Sequence, residues 1–244
     1  MLPIDLAIDE TFGFLAGVLP PAPARILDVG SGAGDLAVKL YAHGYRVTAL
    51  DKSPEAGALS TEAGVPTLFT DFLEYEGGPH DVVLFSSSLH HIYPLTEAVE
   101  RAHRLLEPGG VLTTEEFARE RADAETARWY FETRELLEAA GLCPPVEHAE
   151  PLPSDPLERW HAAHAHIEEH PLHTGEAMLA AIRDRFDRVK AQDSPYLYRR
   201  LAEAIEPNDL GYRVTQRVLE IERRRIGEGS LVAIGLRIVA RRDQ

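Results

Sequence analysis

Ile26-Leu-Asp-Val-Gly-Ser-Gly-Ala-Gly34 constrains this chain more than any other stretch. The run from Arg25 to Val29 reads as a buried strand, glycines then recur at alternate positions, and a helix opens near Asp35. Glycine lets a backbone turn tightly and come close to a ligand. A helix that follows aims free N–H groups and the positive end of its dipole at the same point. Asp28 adds a carboxylate at the strand's end. Amide donors beside a carboxylate suit a ligand carrying both an ammonium and a carboxylate, as an amino acid does. A nicotinamide dinucleotide turn requires Gly-x-Gly-x-x-Gly, and here the third glycine's place is held by Asp35, a poor neighbour for a pyrophosphate. An NAD-dependent oxidoreductase is therefore a weaker reading.

Downstream, buried strands alternate with helices. A helix over Asp35–His43 is closed by Gly44, a usual residue past a helix C-terminus. Strands are expected at Arg46–Leu50, Thr67–Thr70, His80–Phe85 and Val111–Phe117, with a helix from Leu95 to Leu106. This alternation predicts an α/β fold with a doubly wound, mostly parallel sheet. Ligands of such sheets bind at the carboxyl ends of the strands. Asp28, Asp51, Asp71-Phe72 and the polar loop Ser86–His91 all fall at those ends. Asp51 lies about 20 positions after the first glycine, where a carboxylate can accept both hydroxyls of an adenosine ribose. Asp71 suits an adenine amino group, with Phe72 packing on the base.

Before the first strand, apolar positions in residues 4–19 predict an amphipathic helix that Pro20 and Pro21 stop, with Phe12 or Phe14 as possible lid residues. Residues 144–156 read as a proline-rich linker and 156–206 as a helical segment. The alternation of Arg213–Arg225, the turn Gly227-Glu-Gly229 and a strand Leu231–Val239 read as a closing antiparallel hairpin. The expected organisation is a core over 1–149, a helical cap over 150–206 and a hairpin over 207–244.

Charge excludes some partners. With 40 acidic against 25 basic residues the net charge is −15, which opposes phosphate backbones and anionic membranes. Nucleic-acid and membrane partners are thus not expected. The single cysteine, Cys143, fits a reducing compartment. Asp5, Asp9 and Glu10 leave no basic leader, and the uncharged run Thr11–Ala24 is too short to span a bilayer. A cytoplasmic protein is expected.

Taken together, Leu27–Gly34, Asp51, Asp71-Phe72, Asp81, Leu89-His90-His91 and Leu106-Glu-Pro-Gly-Gly110 resemble the class I S-adenosylmethionine-dependent methyltransferases. The resemblance covers roughly residues 24–142 and the terminal hairpin. It implies a Rossmann-like, seven-stranded sheet with an antiparallel last strand, S-adenosylmethionine as cofactor and methyl transfer to a small-molecule acceptor. Expected cofactor-binding residues are Asp28, Gly30, Ser31, Gly32, Gly34, Asp51, Lys52, Asp71, Phe72 and Ser86, with Gly30 and Gly32 giving backbone contacts to the methionine part. A cofactor-binding or regulatory protein without catalysis is the alternative.

A sulfonium methyl is already electrophilic, so placing a nucleophile in line with it is the main task, worth roughly 7–11 kcal/mol. A general base adds about 10²–10⁴-fold where the acceptor has a proton to lose. Candidate bases are His90, His91 and Glu115; Trp160, His164, Tyr196 and Tyr198 are candidates for lining an acceptor pocket. His161 with His164, and His166 with His170, have spacings seen in metal ligand pairs, but the two pairs do not share a helix face, and no metal is expected.

Overall fold

The computed structural model of the protein describes residues 1–54, 56–145, 153–163 and 171–243. The chain forms two compact units. One comprises Met1–Glu10, Ala118–Pro171 and Asp193–Gly235; the other comprises Thr11–Phe117, Leu172–Gln192 and Leu236–Gln244. The first helix, α1 (Pro3–Ala16), starts in one and ends in the other.

The second unit is built on the sheet. β1 (Arg25–Val29), α2 (Asp35–Ala42), β2 (Arg46–Asp51), α3 (Ala58–Glu62) and β3 (Thr67–Phe69) run in order. β4 (His80–Ser86), α4 (Leu95–Leu105) and β5 (Leu106–Phe117) follow. β1 pairs in parallel with β2 on one side and with β4 on the other. The central strand β4 is apolar on both faces, as parallel strands covered by helices require: Val82, Val83, Leu84 and Phe85 are all buried. Helix α4 turns Leu95, Ala98, Val99, Ala102 and Leu105 inward, a stripe at helical spacing. Burying one such side chain stabilises the fold by about 1.5–3 kcal/mol. At the amino ends, Arg25 donates to Asp81 through both its amide and its guanidinium (2.8 Å each), which staples β1 to β4 and holds the Asp81 carboxyl below its usual range. Asp81 is thus a structural residue.

The remaining elements correct two sequence expectations. The seven-stranded sheet has the order β3-β2-β1-β4-β5-β7-β6. Here α5 is Ala124–Ala139, α6 is Pro156–Ala163 and α7 is Gly175–Arg185, followed by β6 (Arg188–Ser194), α8 (Leu197–Ala202), α9 (Asp209–Gly227) and β7 (Gly235–Arg241). β7 is antiparallel to β5, since Arg242 exchanges backbone bonds with Gly109 and Gly110 at one end while Arg237 meets Glu115 further along. β6 runs antiparallel to β7, with Arg188 bridging Asp243 at one end and Gly235 against Ser194 at the other. The hairpin partner of β7 is therefore β6, inside the stretch expected to be wholly helical. Residues 213–225, expected as a strand, are part of α9. Its buried Gly211, Thr215, Val218, Leu219 and Glu222 follow the helical period rather than a period of two, and Asn208 caps its start by accepting from Gly211 N (2.9 Å). β6 escaped notice because it is exposed along most of its length and carries no alternating apolar face. The segment 150–206 is consequently not a purely helical insertion, and α8 and α9 are inserted between the two strands of the hairpin.

In the first unit Trp160 is fully buried, with its ring edge-on to Tyr130 (5.4 Å) and its indole N–H donating to Arg119 O (3.0 Å). Glu222 of α9 accepts from the amides of Tyr196, Leu197 and Tyr198 at 2.8–2.9 Å, fixing the start of α8. Burial raises its carboxyl to about 7, against the pull of those three donors. No helix among the described residues is long and apolar enough to cross a membrane.

Candidate functional site

The strand order reverses between β1 and β4, and the glycine turn opens at that point. Gly30, Gly32 and Gly34 all have positive φ (67°, 54° and 97°), a region side chains other than glycine rarely adopt. Gly30 is also crowded: a Cβ there would lie 2.5 Å from the Ser88 Cβ. Gly32 differs, since a Cβ there would meet nothing within 4 Å. The turn thus closes on the β4 loop on one side and leaves clear space on the other.

The amides of the turn itself are already engaged, apart from those at the start of the helix that follows it. Gly30 N and Ser31 N both donate to Leu50 O (2.7 and 3.1 Å), while Gly32 N donates to Asp51 Oδ2 (2.9 Å). These donors lash the turn to the end of β2. Asp51 also accepts from Ser53 N through Oδ1 (2.9 Å), so its carboxylate is fixed at the mouth, each oxygen keeping a second lone pair for a hydroxyl. Lys52 beside it is exposed.

Asp28 is the unusual group. It is 2% exposed, its Oδ2 is buried without a hydrogen-bond partner, and burial, helped by the negative charge of Asp51, raises its carboxyl to about 7. Ser31 Oγ is likewise buried and unpartnered. Buried polar atoms without partners are uncommon in native proteins. A carboxylate and a hydroxyl left unsatisfied at one glycine turn fit the ammonium and carboxylate of a methionine-type ligand, and Asp51 fits a ribose. The residues present therefore suit S-adenosylmethionine.

Asp71 is exposed, its Oδ1 accepting from Leu73 N (2.7 Å). Phe72 is buried with its ring edge-on to that of Phe85 (5.4 Å), a contact that packing alone accounts for. Ser86 ends β4, half-buried, and Ser87 after it holds a positive φ of 57°. Such strain in a residue other than glycine concentrates at functional sites.

The candidate bases separate by strand parity. Successive β5 side chains point to opposite faces. Glu115, buried, accepts from Arg237 Nε (2.6 Å) and from the Thr11 hydroxyl; Arg237 in turn lies over the Phe14 ring. It is a structural ion pair and not the expected base. Glu116, which sequence reasoning did not select, faces the site loop. Its Oε1 accepts from Ser88 N (3.3 Å) and Leu89 N (2.9 Å), and its Oε2 is hydrogen-bonded to His90 Nδ1 (2.6 Å). His91 is exposed, its ring 4.2 Å from that of His90. His173 pins the loop: its amide donates to His90 O (3.0 Å), its Nε2 bonds Ile92 O (3.1 Å), and its ring stacks on Tyr93. The adjacency of Glu115 and Glu116 on an apolar strand was the signal for Glu116, but nothing in the sequence said which acid faced which way.

Of the acceptor candidates, Trp160, Tyr196 and Tyr198 belong to the first unit, where all three are buried and packing accounts for them. His164 lies outside the described residues, as do His166 and His170.

The strand order, the glycine turn after β1 and the acid closing β2 define the Rossmann-like class that binds S-adenosylmethionine. The chain belongs to the class I S-adenosylmethionine-dependent methyltransferase family, matching over residues 6–165 a family model described as a methyltransferase domain. It is 34% identical over 108 residues to a ubiquinone biosynthesis O-methyltransferase of Xanthomonas axonopodis pv. citri, covering 41% of this chain and 45% of that one. A protein of Talaromyces variabilis, named an S-adenosyl-L-methionine-dependent Diels-Alderase, is 31% identical over 121 residues, covering 44% of this chain and 41% of its own. The chain spans about half the length of the curated relatives it matches. Among solved structures, phosphoethanolamine N-methyltransferase 2 of Haemonchus contortus, in complex with phosphomonomethylethanolamine and S-adenosylhomocysteine, shares the fold. The TM-score is 0.58 at 16% identity, over 97% of this chain and 53% of that one.

Proposed function

We propose that the protein transfers the methyl group of S-adenosylmethionine to a small-molecule acceptor. The observation that carries this reading is the buried Asp28 carboxyl, its Oδ2 without a partner, beside the unpartnered Ser31 hydroxyl, at a turn where Gly32 leaves clear space. When bound, the cofactor supplies an electrophilic methyl group. This chain's residues hold and orient it: Asp28 receives the ammonium, Ser31 the carboxylate and Asp51 the ribose hydroxyls. Asp71, Ser86 and Lys52 border the adenine end, and the acceptor is held in line by the Ser86–His91 loop. The relative named an O-methyltransferase supports a hydroxyl acceptor. The single cysteine and acidic surface support a cytoplasmic setting.

Calorimetry with S-adenosylhomocysteine tests the reading. Wild-type protein is expected to bind it, and Asp28→Asn to bind at least tenfold more weakly, a loss of about 1.4 kcal/mol or more. Equal affinity in the two proteins would sink the assignment. A second reading, in which the cofactor is bound without methyl transfer, is favoured by the stretch shared with the relative named a Diels-Alderase. Acceptor-dependent release of S-adenosylhomocysteine decides between the two.

A further inference from the structure

β6 closes one border of the sheet, pairing with β7 and with no other strand among the described residues. A strand offers backbone groups to both sides, so alternate amides and carbonyls of β6 point outward, away from β7. Among the described residues none of Arg188–Gln192 makes a backbone bond outside the sheet. A border left open in this way is a template for a further strand. Side chains do not cover it: Arg188, Lys190, Ala191 and Gln192 are exposed and Val189 is half-buried. Beside the border lies a groove of about 620 Å³. Every residue from Asp187 to Gln192 lines it. Side chains along a strand alternate between faces, so the backbone of β6 must itself border the groove. The other walls are Phe14, Gly17 and Val18 at the end of α1 and Arg237, Val239 and Arg241 of β7, all within the second unit.

The charge of this strip runs against that of the molecule. The chain carries a net −15, yet Lys190 and Arg241 have no ion-pair partner among the described residues. Arg188 meets Asp243 at 3.5 Å between two exposed side chains, a pair worth little in water, and Asp187 is hydrogen-bonded to the same Asp243. Arg237, by contrast, is already neutralised by Glu115 (2.6 Å). Charges more than about 8 Å away are largely screened at physiological ionic strength, so this strip decides what docks here. Its two faces differ. Val189 and Ala191 share one side of β6, and Arg188 and Lys190 share the other. We propose that β6 receives an extended acidic segment of a partner protein as a further strand of the sheet, its apolar side chains entering the groove and its carboxylates standing beside Lys190 and Arg188. In strand addition the backbone ladder supplies affinity and alternate side chains supply specificity. A second copy of this chain fits less well, since two β6 strands meeting antiparallel about Lys190 set like charges side by side.

Fluorescence anisotropy of a labelled peptide of alternating glutamate and valine, matched to β6 in length and titrated with the full chain, tests the proposal. Saturable binding is expected, weakening as salt is added. A peptide with lysine in place of glutamate should bind about tenfold more weakly or worse. Lys190→Glu, at an exposed position, should melt as wild type does and bind the lysine peptide in preference to the glutamate one. The ladder has its own signature. Only every second amide of the peptide faces β6, so N-methylation of one alternate set should abolish binding while N-methylation of the other is tolerated. Equal effects of the two sets would overturn strand addition. No saturable signal, or equal binding of the two charge types, would overturn the acidic partner. A dimer in sedimentation velocity that excludes the peptide would hand the border to a second copy and overturn it too. None of these measurements involves S-adenosylmethionine, so the proposal stands or falls apart from methyl transfer.

Discussion

Asp28 sits where burial and a missing partner work against its charge, and its carboxyl is raised to about 7. A carboxyl whose folded pKa exceeds its unfolded value of about 3.9 binds more protons in the folded state between those two values. Its contribution to stability is greatest at low pH and declines as pH rises from about 4 to about 7. Without cofactor, the wild-type melting temperature should therefore drop more between pH 5.5 and 7.5 than that of Asp28→Asn, where this term is gone. A positive ligand group reverses the balance by favouring the ionised form, so affinity for S-adenosylhomocysteine should rise over the same interval. Gly30 makes a second residue-scale case. Gly30→Ala places a Cβ 2.5 Å from Ser88 at a φ of 67°, and the backbone strain alone costs about 1–3 kcal/mol. Urea unfolding should show at least that loss; an unchanged midpoint would mean that the turn can relax. At this scale the sequence was most legible, because Asp28, the glycines and Asp51 occupy positions fixed by the chain ends of strands. Phe72 was less legible, since nothing local distinguishes a ring that meets a ligand from one that packs on Phe85.

Secondary-structure elements turn on parity and period. The two acids closing β5 lie on opposite faces, so Glu115 joins Arg237 while Glu116 joins His90. Breaking a buried pair from one side costs about 3–5 kcal/mol, because the partner's charge is stranded. Glu115→Ala should lose stability on that scale in a thermal or urea melt and keep its affinity for S-adenosylhomocysteine. A drop in affinity without loss of stability would contradict the structural assignment. Strands β1 and β4 could be read from the sequence since their buried runs are largely apolar on both faces, and β2 and β5 from their place in the strand–helix alternation. β6 could not, because its place is set by pairing with β7 and by no buried face of its own. Residues 213–225 satisfied a period of two over a short window, and only the wider spacing Gly211, Thr215, Val218 and Glu222 betrays the helix.

Across the whole molecule the chain passes back and forth between its two units, so neither is a continuous piece of sequence. Excising 150–206, reasonable if that stretch were a detachable cap, would remove β6 and uncover the edge of β7. Exposed strand edges invite pairing with other chains. The excised protein should appear as aggregate in size-exclusion chromatography; a monodisperse, cofactor-binding product would show that β6 is dispensable.

The position of β7 also sets an order of events. It follows every other strand in the chain yet sits between β5 and β6. The free edge of β5 and β6 itself therefore stay unpaired while α8 and α9 are made. Two unpaired borders wait during that interval, which makes the growing chain a natural client for chaperones.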